Sequence, residues 1–188
     1  MGDSEADHIK SKDIVFDCMA QSLTIKLSCL DAIVTKTWEF KRIRESVFED
    51  LRKIHDMGPH LISKNVRDLF KREGIDTDPK WMQNESCNRK IFGEKLVLHL
   101  EHVFPVRQTV LMILDPNRKH SVTDILKNTS CTAWILKAED NQIKEKSFRS
   151  SPKLSYQNAG IELLEKVDEK WIEFDWSQIE AWAARSVR

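Results

Sequence analysis

The run His99-Leu100-Glu101-His102-Val103-Phe104-Pro105 holds residue types at a spacing that suits chemistry. An acid directly before a histidine at a strand end divides the labour of metal-assisted phosphodiester hydrolysis. One side chain holds a divalent cation and the other accepts a proton from water, so that the attacking water is activated while the phosphate charge is screened. If the segment is a strand, His99 and Glu101 share a face and His102 turns away beside Leu100. Glu101 and His102 then serve one task only if the strand ends or bulges near Pro105. If the segment is a helix, His99 and His102 lie one turn apart and suit a metal as a pair. The structural alternative is a histidine satisfied by hydrogen bonds at the edge of a core, with Glu101 in water.

Glu101-His102-Val103-Phe104-Pro105 resembles the first-strand motif of the HNH, or ββα-metal, endonucleases, in which Glu or Asp precedes His, an apolar residue, any residue and Pro. The resemblance implies DNA as substrate, His102 as general base, and Glu101 as a ligand of Mg²⁺ or Mn²⁺ or that ligand's neighbour. It further implies Asn117 as a second polar group at the metal, with His120 or Asn128 as a third. The chain departs from the family in having neither a Gly-rich loop after Pro105 nor the paired cysteines of zinc-stapled members. It also carries the apolar segment 106–114 where a polar loop is common.

A second constellation, Asp31 followed by Trp38-Glu39-Phe40-Lys41, resembles the Asp then Glu-x-Lys signature of the PD-(D/E)XK nucleases. By that resemblance the carboxylates bind magnesium and Lys41 steadies the attacking water. The role requires residues 32–41 to form a strand ahead of a helix. The other reading is an ordinary helix start with its charges in water. There is no Gly-x-Gly-x-x-Gly, no phosphate-binding Gly-rich loop ending in Gly-Lys-Ser or Gly-Lys-Thr, and no Gly-x-Ser-x-Gly elbow, so nucleotide-cofactor enzymes and serine hydrolases recede.

The elements that must position these residues follow from periodicity. Phe40, Ile43, Val47, Phe48, Leu51 and Ile54 step by threes and fours, predicting a helix over 38–56 ended by Gly58-Pro59. Ser63 as N-cap and Gly74 as C-cap frame a helix over 64–73, and Asp76-Thr77-Asp78-Pro79 reads as a turn. Residues 1–12 read as frayed. Over 14–34 helical spacing gives way to an alternation at Leu23, Ile25, Leu27 and Cys29 that permits helix or strand. Residues 81–90 read as an extended connection. Alternation predicts a strand over 95–104, stopped by Pro105. Asp115-Pro116-Asn117 marks a turn, and Ser121 to Asp124 resembles a capping box opening a helix to about Asn128. Cys131 to Leu136 reads as a strand, Lys137 to Asp140 as a helix start, and 147–157 as a polar loop. Asp175 or Ser177 caps a last helix within a packed, tryptophan-rich tail.

The whole predicts an α+β, mainly helical protein, with a helical N-terminal half over 1–80 and a mixed α/β half over 81–188, or one compact domain of both. At 188 residues with 40% apolar and 32% charged content, a real core is expected. No run approaches a membrane span, and the acidic start is unlike a secretory signal, so a cytoplasmic chain without membrane contact is expected. The four cysteines lie far apart and read as buried thiols. Net charge is zero, yet residues 1–35 are acidic by three charges, 36–153 basic by six and 154–188 acidic by three. The basic middle suits a polyanion, although solvated helix faces give the same pattern.

These features together predict a metal-dependent endonuclease cutting DNA, of restriction or defence type. The rival is a non-enzymatic immunity or adaptor protein, whose acidic, tryptophan-rich C-terminal region covers a basic partner or a second copy.

Overall fold

The computed structural model describes residues 3–33, 36–55, 60–75, 92–93, 97–115, 117–146 and 149–185. Helix α1 (Asp3–Ala32) and helix α2 (Trp38–His55) form an antiparallel pair. Residues 3–12 thus belong to a helix rather than a frayed end, and the ambiguous stretch after Ile14 continues that helix. Leu23 and Leu27, one turn apart, are buried while Ile25 is exposed, so the alternation at 23–29 is one face of a helix. On α2 the buried residues are Val47, Leu51 and Ile54, with Phe40, Ile43 and Phe48 packed beside them, as the periodicity predicts. Lys26 ties the pair together by bonding Asp50 at 2.5 Å and Ser46 at 2.8 Å.

Strand β1 (His60–Ser63) leads into helix α3 (Lys64–Glu73). The Ser63 hydroxyl accepts the Val66 N–H at 3.2 Å. Gly74 ends the helix with φ +64°, a left-handed conformation that only glycine adopts without strain. Strand β2 (Leu98–His102) stops just before Pro105, and helix α4 (Val106–Leu114) occupies the apolar segment after it. Helix α5 (Val122–Thr129) starts at the Ser121 cap, which accepts the Asp124 N–H at 3.0 Å. Strand β3 (Thr132–Leu136) runs directly into the one-turn helix α6 (Lys137–Asp140). Helix α7 (Pro152–Asn158) replaces the expected polar loop, begun by Pro152 at its first turn and capped by Ser151. A hairpin of β4 (Leu163–Val167) and β5 (Lys170–Glu173), not anticipated from the sequence, precedes helix α8 (Ser177–Arg185). The protein is α+β and mainly helical, as expected.

The five strands form one sheet in the order β2-β3-β1-β4-β5. β1 runs parallel to β3 and every other neighbouring pair is antiparallel. Strands from either side of residue 80 therefore share one sheet, with β1 at its centre. Leu61, Ala133, Ile135 and Leu163 line the face that meets the helical layer of α1, α2, α4, α5 and α8. Ile62, Trp134, Leu98 and Leu164 line the other face, which α3 covers with Val66 and Phe70. Trp176 and Trp182 are buried in the larger core, so the tryptophan-rich tail packs inward. Cys131 is buried, but Cys18 and Cys29 are exposed on α1, which corrects the expectation of buried thiols for both. No described helix is long and apolar enough to cross a membrane. Gly58-Pro59, the 76–79 turn, the 81–90 connection, Cys87 and Pro116 lie outside the described residues.

Candidate functional site

Register on the edge of the sheet assembles the site. β2 pairs with β3 so that His99 stands opposite Ile135, Leu100 opposite Trp134 and Glu101 opposite Ala133. The pleat sends His99 and Glu101 to the face of Ile135 and Ala133, and Leu98 and Leu100 to the face of Trp134. Helix α6 follows β3 without a loop, and its Lys137 N–H bonds the Val97 carbonyl at 2.8 Å, which brings the helix against the start of β2. Glu139 locks it from the other side. Its carboxylate accepts the Ser63 hydroxyl at 2.7 Å, the Asn65 amide at 2.8 Å and the Leu136 N–H at 2.7 Å. Asp140, next in sequence, is thereby delivered to His99.

His99 Nε2 lies 3.3 Å from Glu101 Oε2 and 3.7 Å from Asp140 Oδ1. One ligand atom from each of the three residues falls within 4.8 Å of the others. Cations surround the two carboxylates. Lys137 bonds Asp140 Oδ2 at 2.8 Å, Lys146 bonds Asp140 Oδ1, and Arg149 bonds Glu101 Oε1. Burial alone would raise the Glu101 pKa, but the bonds from His99 and Arg149 outweigh it and hold the carboxyl below its ordinary value. For Asp140 burial again opposes ionisation, and Lys137 and Lys146 again win. Both carboxylates are ionised at neutral pH.

Arg149 is the largest of the fully buried side chains. It donates to the carbonyls of His102 at 2.6 Å and Val103 at 3.0 Å as well as to Glu101. Its own backbone is held by Gln108, whose amide oxygen accepts the Arg149 N–H and whose amide nitrogen bonds the Arg149 carbonyl. The guanidinium also lies 5.4 Å from the centre of the Tyr156 ring. The Tyr156 hydroxyl is fully buried without a hydrogen-bond partner among the described residues. Burial raises its pKa well above the ordinary phenol value; the Arg149 guanidinium opposes this, and Glu101, Cys131 and Asp140 add to it. The hydroxyl is therefore held in its protonated form.

The donor set fits a divalent ion. Ligand atoms about 2.1 Å from a metal sit about 3 to 3.5 Å from one another, close to the spacings around His99 Nε2. One imidazole with two ionised carboxylates is a hard-to-borderline set, suited to Mg²⁺, Mn²⁺ or Zn²⁺.

Of the residues singled out in the sequence, His99 and Glu101 belong to this group. His102 comes next on the strand, paired with Thr132, and the pleat turns its side chain away from that of Glu101. It is largely buried, and burial pushes its pKa below the ordinary imidazole value. Asn117 is exposed in a turn where its N–H bonds Asp115 at 2.8 Å. His120 packs on Trp182, ring centres 4.7 Å apart, and Asn128 bonds Asp124 and Gln178 on the surface. In the second constellation the described residues between 32 and 41 form no strand. Asp31 belongs to α1 and Glu39 and Lys41 to the first turns of α2, because Thr37 caps that helix through the Phe40 N–H at 3.2 Å. Sequence reasoning missed Asp140, which the β2–β3 register and α6 bring to His99, and also Lys146, which bonds Asp140, and Arg149, which Gln108 of α4 holds at Glu101.

A groove of about 420 Å³ is lined among others by Gln142, Lys144, Glu145, Ser150, Ser151 and Asn158. Lys144 and Ser150 flank Lys146 and Arg149 in the chain, so the groove wall and the charged cluster share one segment. Comparison with protein-family models, with curated proteins and with solved structures returned no match.

Proposed function

We propose that the chain is a metal-dependent hydrolase of DNA phosphodiester bonds, with the divalent ion held by His99, Glu101 and Asp140. The observation that carries this reading is the convergence of one imidazole and two ionised carboxylates from β2 and α6. Bound there, the ion would screen the phosphate and activate water. Lys137 and Lys146 stand where cationic side chains can steady a phosphate, and Arg149 fixes the Glu101 carboxylate without being exposed itself. The groove shares the segment that carries Lys146 and Arg149, and the basic balance of residues 36–153 suits a polyanion. Glu101 keeps the ligand role that the HNH-like motif implies, while His99 and Asp140 take the places of Asn117 and His120. A partner-covering tail draws less support, because Trp176 and Trp182 are buried in the core.

The test is plasmid cleavage in Mg²⁺ or Mn²⁺ by wild type, Asp140→Asn, His99→Ala and Asn117→Ala. Cleavage by wild type and Asn117→Ala that Asp140→Asn and His99→Ala each lose is the expected result. Equal cutting by all four proteins, or none by any, overturns the assignment.

A further inference from the structure

We infer that Lys146 is the resident cation of this centre and that a divalent ion must displace it to bind. The inference rests on the metal-centre reading above and concerns how that centre is controlled. The Lys146 ammonium bonds Asp140 Oδ1 and also the Asp140 backbone carbonyl. Oδ1 is the Asp140 oxygen that faces His99 Nε2, while Oδ2 is occupied by Lys137. Glu101 divides its oxygens in the same way, Oε1 on Arg149 and Oε2 toward His99. Each carboxylate thus rests one oxygen on a cation and turns the other toward the imidazole. Of those two inward oxygens, Asp140 Oδ1 is the one that an ammonium holds.

The three cations are fixed to different degrees. Arg149 is sealed, bonded to two backbone carbonyls as well as to Glu101. Lys137 stands on the same helical turn as Asp140. Lys146 reaches in from residues 141–146, which form neither helix nor strand, and its side chain is about as exposed as that of Lys137, 44% against 41%. Three cations already outnumber two carboxylates, so a divalent ion entering beside them meets net repulsion. Expelling Lys146, which holds the inward Asp140 oxygen, relieves that repulsion and releases a carboxylate oxygen and a carbonyl oxygen together, the donors that Mg²⁺ and Mn²⁺ favour. Gln142, Lys144 and Glu145 of the same segment wall the groove, so metal entry and the shape of that wall are linked.

The experiment is Mn²⁺ binding at neutral pH by calorimetry, on full-length wild type, Lys146→Met, Lys146→Arg and Asp140→Asn, with folding checked by circular dichroism. Lys146→Met is expected to bind Mn²⁺ on the order of tenfold more tightly than wild type, the size of a typical coupling between two competing ligands. Lys146→Arg, which keeps the cation, should stay near wild type, and Asp140→Asn should lose binding. Lys146→Gln serves the same purpose if the methionine variant does not fold. A lost structural contact would leave affinity unchanged or weaker. That outcome, with Asp140→Asn still losing binding, overturns the displacement and leaves the metal centre standing. Binding by neither wild type nor the Lys146 variants, or binding indifferent to Asp140→Asn, overturns the metal centre itself.

Discussion

Arg149 closes on Glu101 at the end of β2 with none of its own surface exposed, and the same guanidinium takes up the carbonyls of His102 and Val103. A charge this deeply buried is tolerated because the carboxylate and two carbonyls replace most of its water, although Nε finds no partner among the described residues. The pair fixes both the orientation of Glu101 and the path of the chain where the strand gives way to Val103 and Phe104, which enter the core.

Arg149→Met removes the cation and leaves the mostly buried Glu101 without it. Breaking a buried ion pair from one side costs about 3–5 kcal/mol, and that loss is expected in urea unfolding. The double variant Glu101→Gln/Arg149→Met should lose less than the sum of the two single variants, since no charge is then left unpaired. A loss below about 1 kcal/mol for Arg149→Met would show that the pair does not anchor the strand end.

Tyr156 separates stability from chemistry. Its buried hydroxyl lacks a partner among the described residues, and an unsatisfied buried polar group costs about 1–3 kcal/mol. Tyr156→Phe keeps the ring against Arg149 and Trp176 and is expected to raise stability by about 1 kcal/mol in urea unfolding. If the hydroxyl serves the bound substrate or the metal's water, DNA cleavage falls in the same variant. A variant less stable than wild type would mean that the hydroxyl is satisfied in solution.

Much of this architecture was legible in the sequence because local signals and tertiary packing agree. Ser63 and Gly74 frame α3, and Ser121 opens α5, through bonds that are written into residue type and spacing. The β4–β5 hairpin was not legible for a specific reason. Its two-residue turn places Asp168 at φ +47° and Glu169 at φ +63°, a geometry normally signalled by Asn-Gly or Asp-Gly. The site was half legible. Strand parity alone puts His99 beside Glu101, whereas Asp140 and Arg149 lie 39 and 48 residues further along the chain and arrive only through register and burial. A motif read along the chain looks to Asn117 and His120 for the missing ligands, and no local rule points to Asp140.

The thiols offer a check on burial. Cys131 is sealed in the core, and burial raises its pKa far above the ordinary thiol value, so it presents almost no thiolate at neutral pH. Cys18 and Cys29 lie exposed on α1. Alkylation of the native protein followed by peptide mapping should label Cys18 and Cys29 within minutes and Cys131 only after denaturation. Rapid native labelling of Cys131 would contradict the packing of β3 against the helical layer.

Acid should weaken the metal-free protein in two stages. Burial holds the His102 pKa below the ordinary imidazole value; Glu101 favours its protonation, while Arg52, Arg149 and His99 oppose it. The unfolded chain accepts a proton that the folded chain resists. The stability His102 contributes is therefore complete above about pH 6.5 and is lost as pH falls toward its folded value. Glu101 and Asp140 carry depressed pKa values because their cation and imidazole partners outweigh the opposing effect of burial. Their contribution is complete above the unfolded carboxyl values of about 4 and is lost as pH falls through the folded ones. Urea midpoints measured from pH 8 to pH 3 should fall first below about pH 6.5 and again below about pH 4. His102→Gln should flatten the first decline and leave the second. A wild-type curve that is level between pH 7 and 5, or an unchanged slope in His102→Gln, would show that the imidazole is not buried in its neutral form.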